Sequence, residues 1–406
     1  MKKIYLNIEV HQPLKLQTFR FFEIMNNHYY YDDYENEFNI KKRSELSYLP
    51  ANKILLDLIH SYKDAFKMSF LFSGVVLDQF ELYAPEMIDS YKTLINTDCV
   101  ELLSGTYSNT FGPLSNNLLY GDQKKLQEER IKVLFNKEPI AVPNRKLEYS
   151  GVGSPEIRIL SVDRKLNEVL SVDFSSQDPY KLFNNPEKFV KAISNCSDSN
   201  CVVDIFIPYN IAGDCQSANR GLLEFLESFP SEVISKSDFI FANHSEAGDY
   251  LLPSLSADQM VSKISKNNES FYESCNEMQI DAFEKLYSYS EKIKLCNNLL
   301  INKDWLYLQT CDHFYFMDPV LYEESEFHGI FIPYDSPYFA YINFMNILTD
   351  FSDRLEKWFS NHYKDQKCIS DKIARVDKYE HNSTLLRRTK KSTGNLVNFM
   401  ENQIQK

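Results

Sequence analysis

Lys2-Lys3-Ile4-Tyr5-Leu6-Asn7-Ile8-Glu9-Val10-His11-Gln12-Pro13 is the stretch from which the fold is read. Ile4, Leu6 and Ile8 alternate with Tyr5, Asn7 and Glu9, the period-two pattern of a strand with one well-buried face. Pro13 has no N–H to give to a strand ladder, so the strand stops before it. The stop leaves the His11 imidazole and the Gln12 carboxamide at the carboxyl end of the first strand. In α/β folds with parallel strands, ligands sit at that end. A single histidine there can equally cap the strand on a neighbouring carbonyl, so the rest of the chain must decide.

Three more apolar runs read as buried strands: Met68 to Phe72, Val100 to Leu103 and Cys201 to Ile207. They lead into Ser73-Gly74, Ser104-Gly105-Thr106 and Pro208. Helical spacing covers Asn52 to Tyr62, Gln79 to Asn96 and Gly121 to Phe135. Strand, polar tip and helix in succession predict βα units, and hence a parallel α/β layer or barrel over the first 250 residues. From about Asp258 the texture changes. Helical spacing runs from Gln279 to Leu299, continues through Trp305-Leu306-Tyr307-Leu308, and returns from Tyr338 to His362, which predicts a helical second domain. The expected division is a barrel domain over 1–255, a helical domain over 256–365, and a polar, partly disordered tail over 366–406.

The 406 residues suffice for about two domains, and 43% hydrophobic with 25% charged residues describes a globular, soluble chain. A net charge of −13 argues against a nucleic-acid partner. Arg387, Arg388, Lys390 and Lys391 are a local exception and read as a solvated basic tail. No apolar leader follows Met-Lys-Lys and no run approaches the length of a membrane span, so the expected location is the cytoplasm, without membrane contact. The eight Cys include no C-x-x-C pair and read as reduced thiols. The eight His include no H-x₃-H pair, and no Asp lies near His11 in sequence. No metal or cofactor is therefore expected, and metal-dependent deacetylation is set aside. Aromatic residues make up 14%, rings that suit sugar faces although core packing accounts for most of them.

The tips and the strings around them resemble glycoside hydrolase family 57, in its α-amylase-like branch from Bacteroides-type bacteria. His11-Gln12-Pro13 is similar to the family's first motif. His28-Tyr29-Tyr30-Tyr31-Asp32-Asp33, Ser47-Tyr48-Leu49-Pro50-Ala51-Asn52, Asp304-Trp305-Leu306-Tyr307-Leu308-Gln309-Thr310 and Asp312-His313-Phe314-Tyr315 look like the same branch. The resemblance implies an α/β fold, a distorted (β/α)7-type barrel followed by a helical domain. It also implies retaining chemistry on α-glucans: one Glu attacks the sugar while one Asp serves as acid and then base. Retention needs the two carboxyl groups about 5–5.5 Å apart.

The chain departs from the family where that chemistry resides. Pro143-Asn144-Arg145-Lys146-Leu147-Glu148-Tyr149-Ser150 matches the nucleophile string without a gap and puts Lys146 at the nucleophile position. A gapped alternative puts Glu148 there. Ile207-Pro208-Tyr209-Asn210 and Gly213-Asp214-Cys215-Gln216 match the acid/base string and put Pro208 at the acid position. Asp204 and Asp214 lie out of register on either side. Gly105-Thr106-Tyr107-Ser108-Asn109-Thr110 replaces a motif that carries Glu and His in the family. Pro155 to Ser175 resembles a segment that lies further from the nucleophile in the family, so one βα stretch is expected to be missing.

Two readings follow. The first is a non-catalytic protein that binds an α-glucan oligosaccharide or polysaccharide, or a partner enzyme, with His11, Gln12, Tyr107, Tyr209, Trp305 and His313 as candidate contacts. The second is an active α-glucan hydrolase or 4-α-glucanotransferase with displaced carboxylates, using Glu148 with Asp204 or Asp214.

Overall fold

A computed structural model describes residues 2–110, 117–140, 158–161, 186–194, 202–208, 216–246, 275–320, 322–323 and 332–362. The first strand, β1 (Lys2–Val10), is the centre of the sheet. Along one edge it pairs in parallel with β5 (Val202–Pro208), from Lys3↔Val202 to Glu9↔Pro208. The other edge is shared. Its first half takes β6 (Phe239–Phe241) and its second half takes β2 (Met68–Phe72), both in parallel. Beyond β2 lies β3 (Val100–Leu102), parallel. Beyond β5 lies β4 (Arg158–Ser161), which runs antiparallel.

The alternation in β1 becomes two unlike faces. Ile4, Leu6, Ile8 and Val10 join Phe70, Phe72, Val203, Ile205 and Ile207 in the main core. Against that face pack α2 (Leu49–Tyr62), α4 (Glu86–Ile95), α5 (Asn117–Phe135), α6 (Pro186–Ser194) and α7 (Gln216–Lys236). The α/β class expected from the sequence is thus the observed one. The expected loss of a βα stretch concerns residues outside those described.

Two expected helices are broken, each for a local reason. Gln79 to Asn96 divides into α3 (Gly74–Tyr83) and α4, because Pro85 pushes Ala84 out of the helical region to φ −145°, ψ 61°. Gln279 to Leu299 divides into α8 (Glu277–Tyr287) and α9 (Ser290–Leu295), and Asn298 then caps α10 (Leu299–Leu308). α2 in turn begins before Asn52. It continues α1 (Asp33–Arg43) through a π turn over Ser44–Tyr48, and Pro50 falls in the first turn after it, where a missing N–H does least harm.

The helical region has its own core. α8, α10, the short α11 (Asp312–Tyr315) and the long α12 (Pro337–His362) gather around Phe283, Trp305, Phe314, Phe344 and Phe351. Leu14, Leu16, Phe19, Tyr30 and Tyr31, from the loop after β1, belong to this second core as well. The two parts of the chain are therefore interleaved through that loop. Among the described residues, no helix is long and apolar enough to cross a membrane.

Candidate functional site

The second face of β1 carries Tyr5, Asn7 and Glu9, with His11 continuing the alternation beyond the strand. Deep on that face, Asn7 Nδ2 donates to Asp204 Oδ1 at 2.5 Å and Asn7 Oδ1 meets His244 Nε2 at 2.8 Å. The Tyr5 ring stacks on His244 at 4.4 Å. Asp204 is buried and stands in register with Tyr5, six residues before His11. Its carboxylate belongs to the floor of the sheet.

At the carboxyl end of the strands, His11 is held from both sides. Its Nε2 lies 2.9 Å from Asp312 Oδ2, and its Nδ1 lies 2.7 Å from Ser73 Oγ. Ser73 caps α3, its Oγ accepting from Val76 N–H at 3.2 Å. Burial is the largest influence on Asp312 and pushes its carboxyl up. The charge and hydrogen bond of His11 outweigh it and hold the group below its ordinary value. With Asp312 ionised, Nε2 of His11 donates to it, and Nδ1 meets the Ser73 hydroxyl. These are the members of a Ser–His–Asp relay, but Ser73 is buried and its oxygen is committed to the helix cap. The next-but-one N–H, of Val75, is spent on the Tyr107 carbonyl at 3.2 Å. A nucleophile needs an accessible oxygen and free oxyanion donors, so the arrangement reads as an anchor for His11.

Gln12 and Gln79 form the adjacent polar wall. Gln79 Nε2 donates to the Gln12 carbonyl at 2.6 Å. Both side-chain oxygens, Gln12 Oε1 and Gln79 Oε1, are buried without a hydrogen-bond partner among the described residues. Tyr107 lies flat over Gly74, where an added Cβ would come within 2.3 Å of its ring. Its hydroxyl donates to Asp78 Oδ2 at 2.6 Å, as does that of Tyr307 at 2.8 Å, while Arg130 pairs with Asp78 Oδ1 at 2.9 Å. Burial first, and Asp78 second, raise both phenol pKa values, so both stay protonated. Gln123 and Gln127, one turn apart on α5, fix the tips after β2 and β3. Gln127 bonds the Phe72 and Leu103 carbonyls and the Gly105 N–H, and Gln123 bonds the backbone of Tyr107 and Ser108.

His11, Gln12 and Tyr107 are thus brought to one end of the sheet, together with Ser73 of the Ser73-Gly74 tip and with Asp78 and Asp312, which sequence reasoning did not select. Trp305 and His313 are not brought there. Trp305 is buried in the helical core, stacked on Phe351 and edge-on to Tyr287. His313 points into the same core, Nε2 to the Tyr307 carbonyl at 3.3 Å and ring against Phe344. Pro208 ends β5, opposite Glu9. Lys146, Glu148, Tyr209, Asp214 and Cys215 lie outside the described residues. Among the described residues, no group of three or more His, Cys, Asp or Glu is placed to hold a metal ion.

His313 gives this region a pH signature. Burial holds its imidazole down to about 4, against an upward pull from Asp312. Unfolded, the ring titrates near 6.5. Between those values the unfolded chain binds a proton that the folded chain refuses, so stability falls as pH drops from about 6.5 to about 4. The whole shift corresponds to about 3 kcal/mol. In urea unfolding across that range, His313→Gln is expected to flatten the slope, and an unchanged slope would remove His313 as its source.

Residues 5–151 match the family described as Glycosyl hydrolase family 57. A protein of Methanocaldococcus jannaschii described as "Putative alpha-amylase" is 26% identical over 398 residues, covering 86% of this chain and 84% of that protein. Among solved structures, the 4-alpha-glucanotransferase of Thermococcus litoralis is similar at 14% identity and TM-score 0.46, over 77% of this chain and 56% of that one. A GH57 branching enzyme of Thermococcus kodakaraensis is similar at 10% identity and TM-score 0.49, over 93% and 94%.

Proposed function

We propose that this chain is a family-57, α-amylase-like protein of α-glucan metabolism that binds α-glucan, or a partner acting on it, without carrying out the family's retaining chemistry. One observation carries the reading. The strand end where the resemblance places the general acid holds Pro208, in register with Glu9. Proline has no proton to give. The carboxylate available on the same strand, Asp204, lies four residues back, about 13 Å by strand rise. It is already engaged with Asn7 in the floor of the sheet. That engagement also weighs against an active hydrolase or 4-α-glucanotransferase using Glu148 and Asp204.

The ligand-binding half rests on what is kept. Gln12 Oε1 and Gln79 Oε1 have no donor among the described residues, and Asp312 is bonded to His11, the residue before Gln12. Acceptors of this kind suit the hydroxyls of a neutral sugar. Both ring nitrogens of His11 are taken, so the proposed role of His11 is to position Asp312 and Ser73. Titration calorimetry with maltoheptaose tests the reading. Binding is expected, weakened at least tenfold by Gln12→Ala. No heat at millimolar sugar would remove glucan as the ligand.

A further inference from the structure

The loop between β1 and α1 is fastened along α12 by its backbone. Asn343 Oδ1 accepts from Phe19 N–H at 2.6 Å, and its Nδ2 donates to the Gln17 carbonyl at 3.0 Å. Asn346 Nδ2 donates to the Phe19 carbonyl at 3.0 Å. Asp350 Oδ1 accepts from Met25 N–H at 2.6 Å and holds Met25 at φ 67°, in the left-handed region that a side chain of this kind seldom enters. A loop held this firmly would be expected to bury its apolar residues. It presents them to water instead. Phe21 is 71% exposed and Phe22 85%, with Met25 half-exposed.

α12 extends the same surface. Phe339 and Ile342 lie one turn before Asn343 and Asn346, and Tyr338 one turn before Ile342, so exposed apolar side chains continue along α12 beyond the fastened stretch. These six side chains are between 37% and 85% exposed. At about 150–250 Å² for a large aromatic side chain, they present roughly 700 Å². The largest apolar patch on a typical monomer is about 300–600 Å². A stable protein–protein interface covers about 800 Å² on each partner.

We propose that this patch is the self-association surface of the protein, covered by the same patch of a second copy across a two-fold axis. Three observations favour a second copy over a sugar chain. The area matches what a stable dimer needs once a polar rim is added. The polar side chains of α12 along this stretch, Asn343, Asn346 and Asp350, bond to the loop. The rim carries exposed Arg20 on the loop side and exposed Asp335 beside the start of α12. A two-fold contact sets loop against helix in both halves and so brings these unlike charges together. The aromatic and Met composition is that of an interface core.

Sedimentation equilibrium of the purified chain from low to high micromolar concentration tests the proposal, with glycogen binding measured in parallel. The intact chain is expected at about twice its 47.6 kDa. Phe22→Asp and, separately, Tyr338→Asp are expected to sediment as monomers, with circular dichroism and glycogen binding unchanged. An intact chain that is monomeric at every concentration overturns the proposal, as does dimer mass retained by both folded variants. Loss of glycogen binding in a folded variant of a monomeric chain would assign the patch to glucan instead.

Discussion

Incubated with starch or maltoheptaose, the purified protein is expected to release no reducing ends and form no transfer products above a blank. The expectation follows from the proposed loss of both reacting groups. A retaining glycosidase divides its work between an ionised nucleophile and a carboxylic acid that protonates the leaving oxygen. In the ungapped reading these positions hold Lys146 and Pro208. An ammonium cannot form the glycosyl ester, and a proline cannot protonate a glycosidic oxygen. Groups acting as a unit are lost together, and the expected deficit is many orders of magnitude rather than a modest factor. Weak turnover abolished by Glu148→Gln would show that the gapped reading is correct and that a second carboxyl group has been found from elsewhere. The buried Asp204 is the less suitable donor, because its carboxylate is engaged by Asn7, which also meets His244.

Asp350→Ala is expected to cost about 3–5 kcal/mol of stability, a large part of the roughly 5–15 kcal/mol that holds a typical domain. Asp350 is fully buried and accepts from Tyr30 Oη at 2.7 Å, Met25 N–H at 2.6 Å and His28 Nδ1 at 2.9 Å. The alanine would strand the phenol and the backbone N–H without water or acceptor. Nearby, Arg354 reaches both Tyr30 Oη and Asp304, so the phenol is a shared node and its loss would spread. Asp350→Asn keeps an acceptor and is expected to lose less. Urea unfolding measures both, and a loss under about 1 kcal/mol for the alanine would mean that the loop is not fastened through this residue. The same variant should free Phe21 and Phe22 from their fixed presentation and weaken self-association.

The strands were legible where their pattern is unambiguous. β1 alternates, and β2 and β5 are short apolar runs, so their faces and ends could be read from composition and from Pro13 and Pro208. β6 was missed because Phe239–Phe241 is too short to show a period. The broken helices were misread because apolar spacing continues across Pro85 and across Ser288-Tyr289 while the backbone does not. At the site, His11 and the Ser73-Gly74 tip were found from strand endings. Asp312 was missed because it is 301 residues from His11. The string Asp312-His313-Phe314-Tyr315 offers both an imidazole and a carboxylate, and nothing local says which of the two faces the strand ends. In α11 the two adjacent side chains diverge, Asp312 toward His11 and His313 into the helical core. Trp305 was chosen for its chemistry, and its helix turns it inward. The ties from Gln123 and Gln127 left a signal in their spacing of four on one helix, but nothing local says which carbonyls they meet.

The proposed molecule keeps a sugar-binding end without retaining chemistry. The most direct test is a single proton NMR time course of maltoheptaose with the purified protein, recorded with saturation transfer. Saturation transfer to the sugar with an unchanging anomeric spectrum is the predicted result. New anomeric signals that grow with protein concentration and disappear in Glu148→Gln would contradict it.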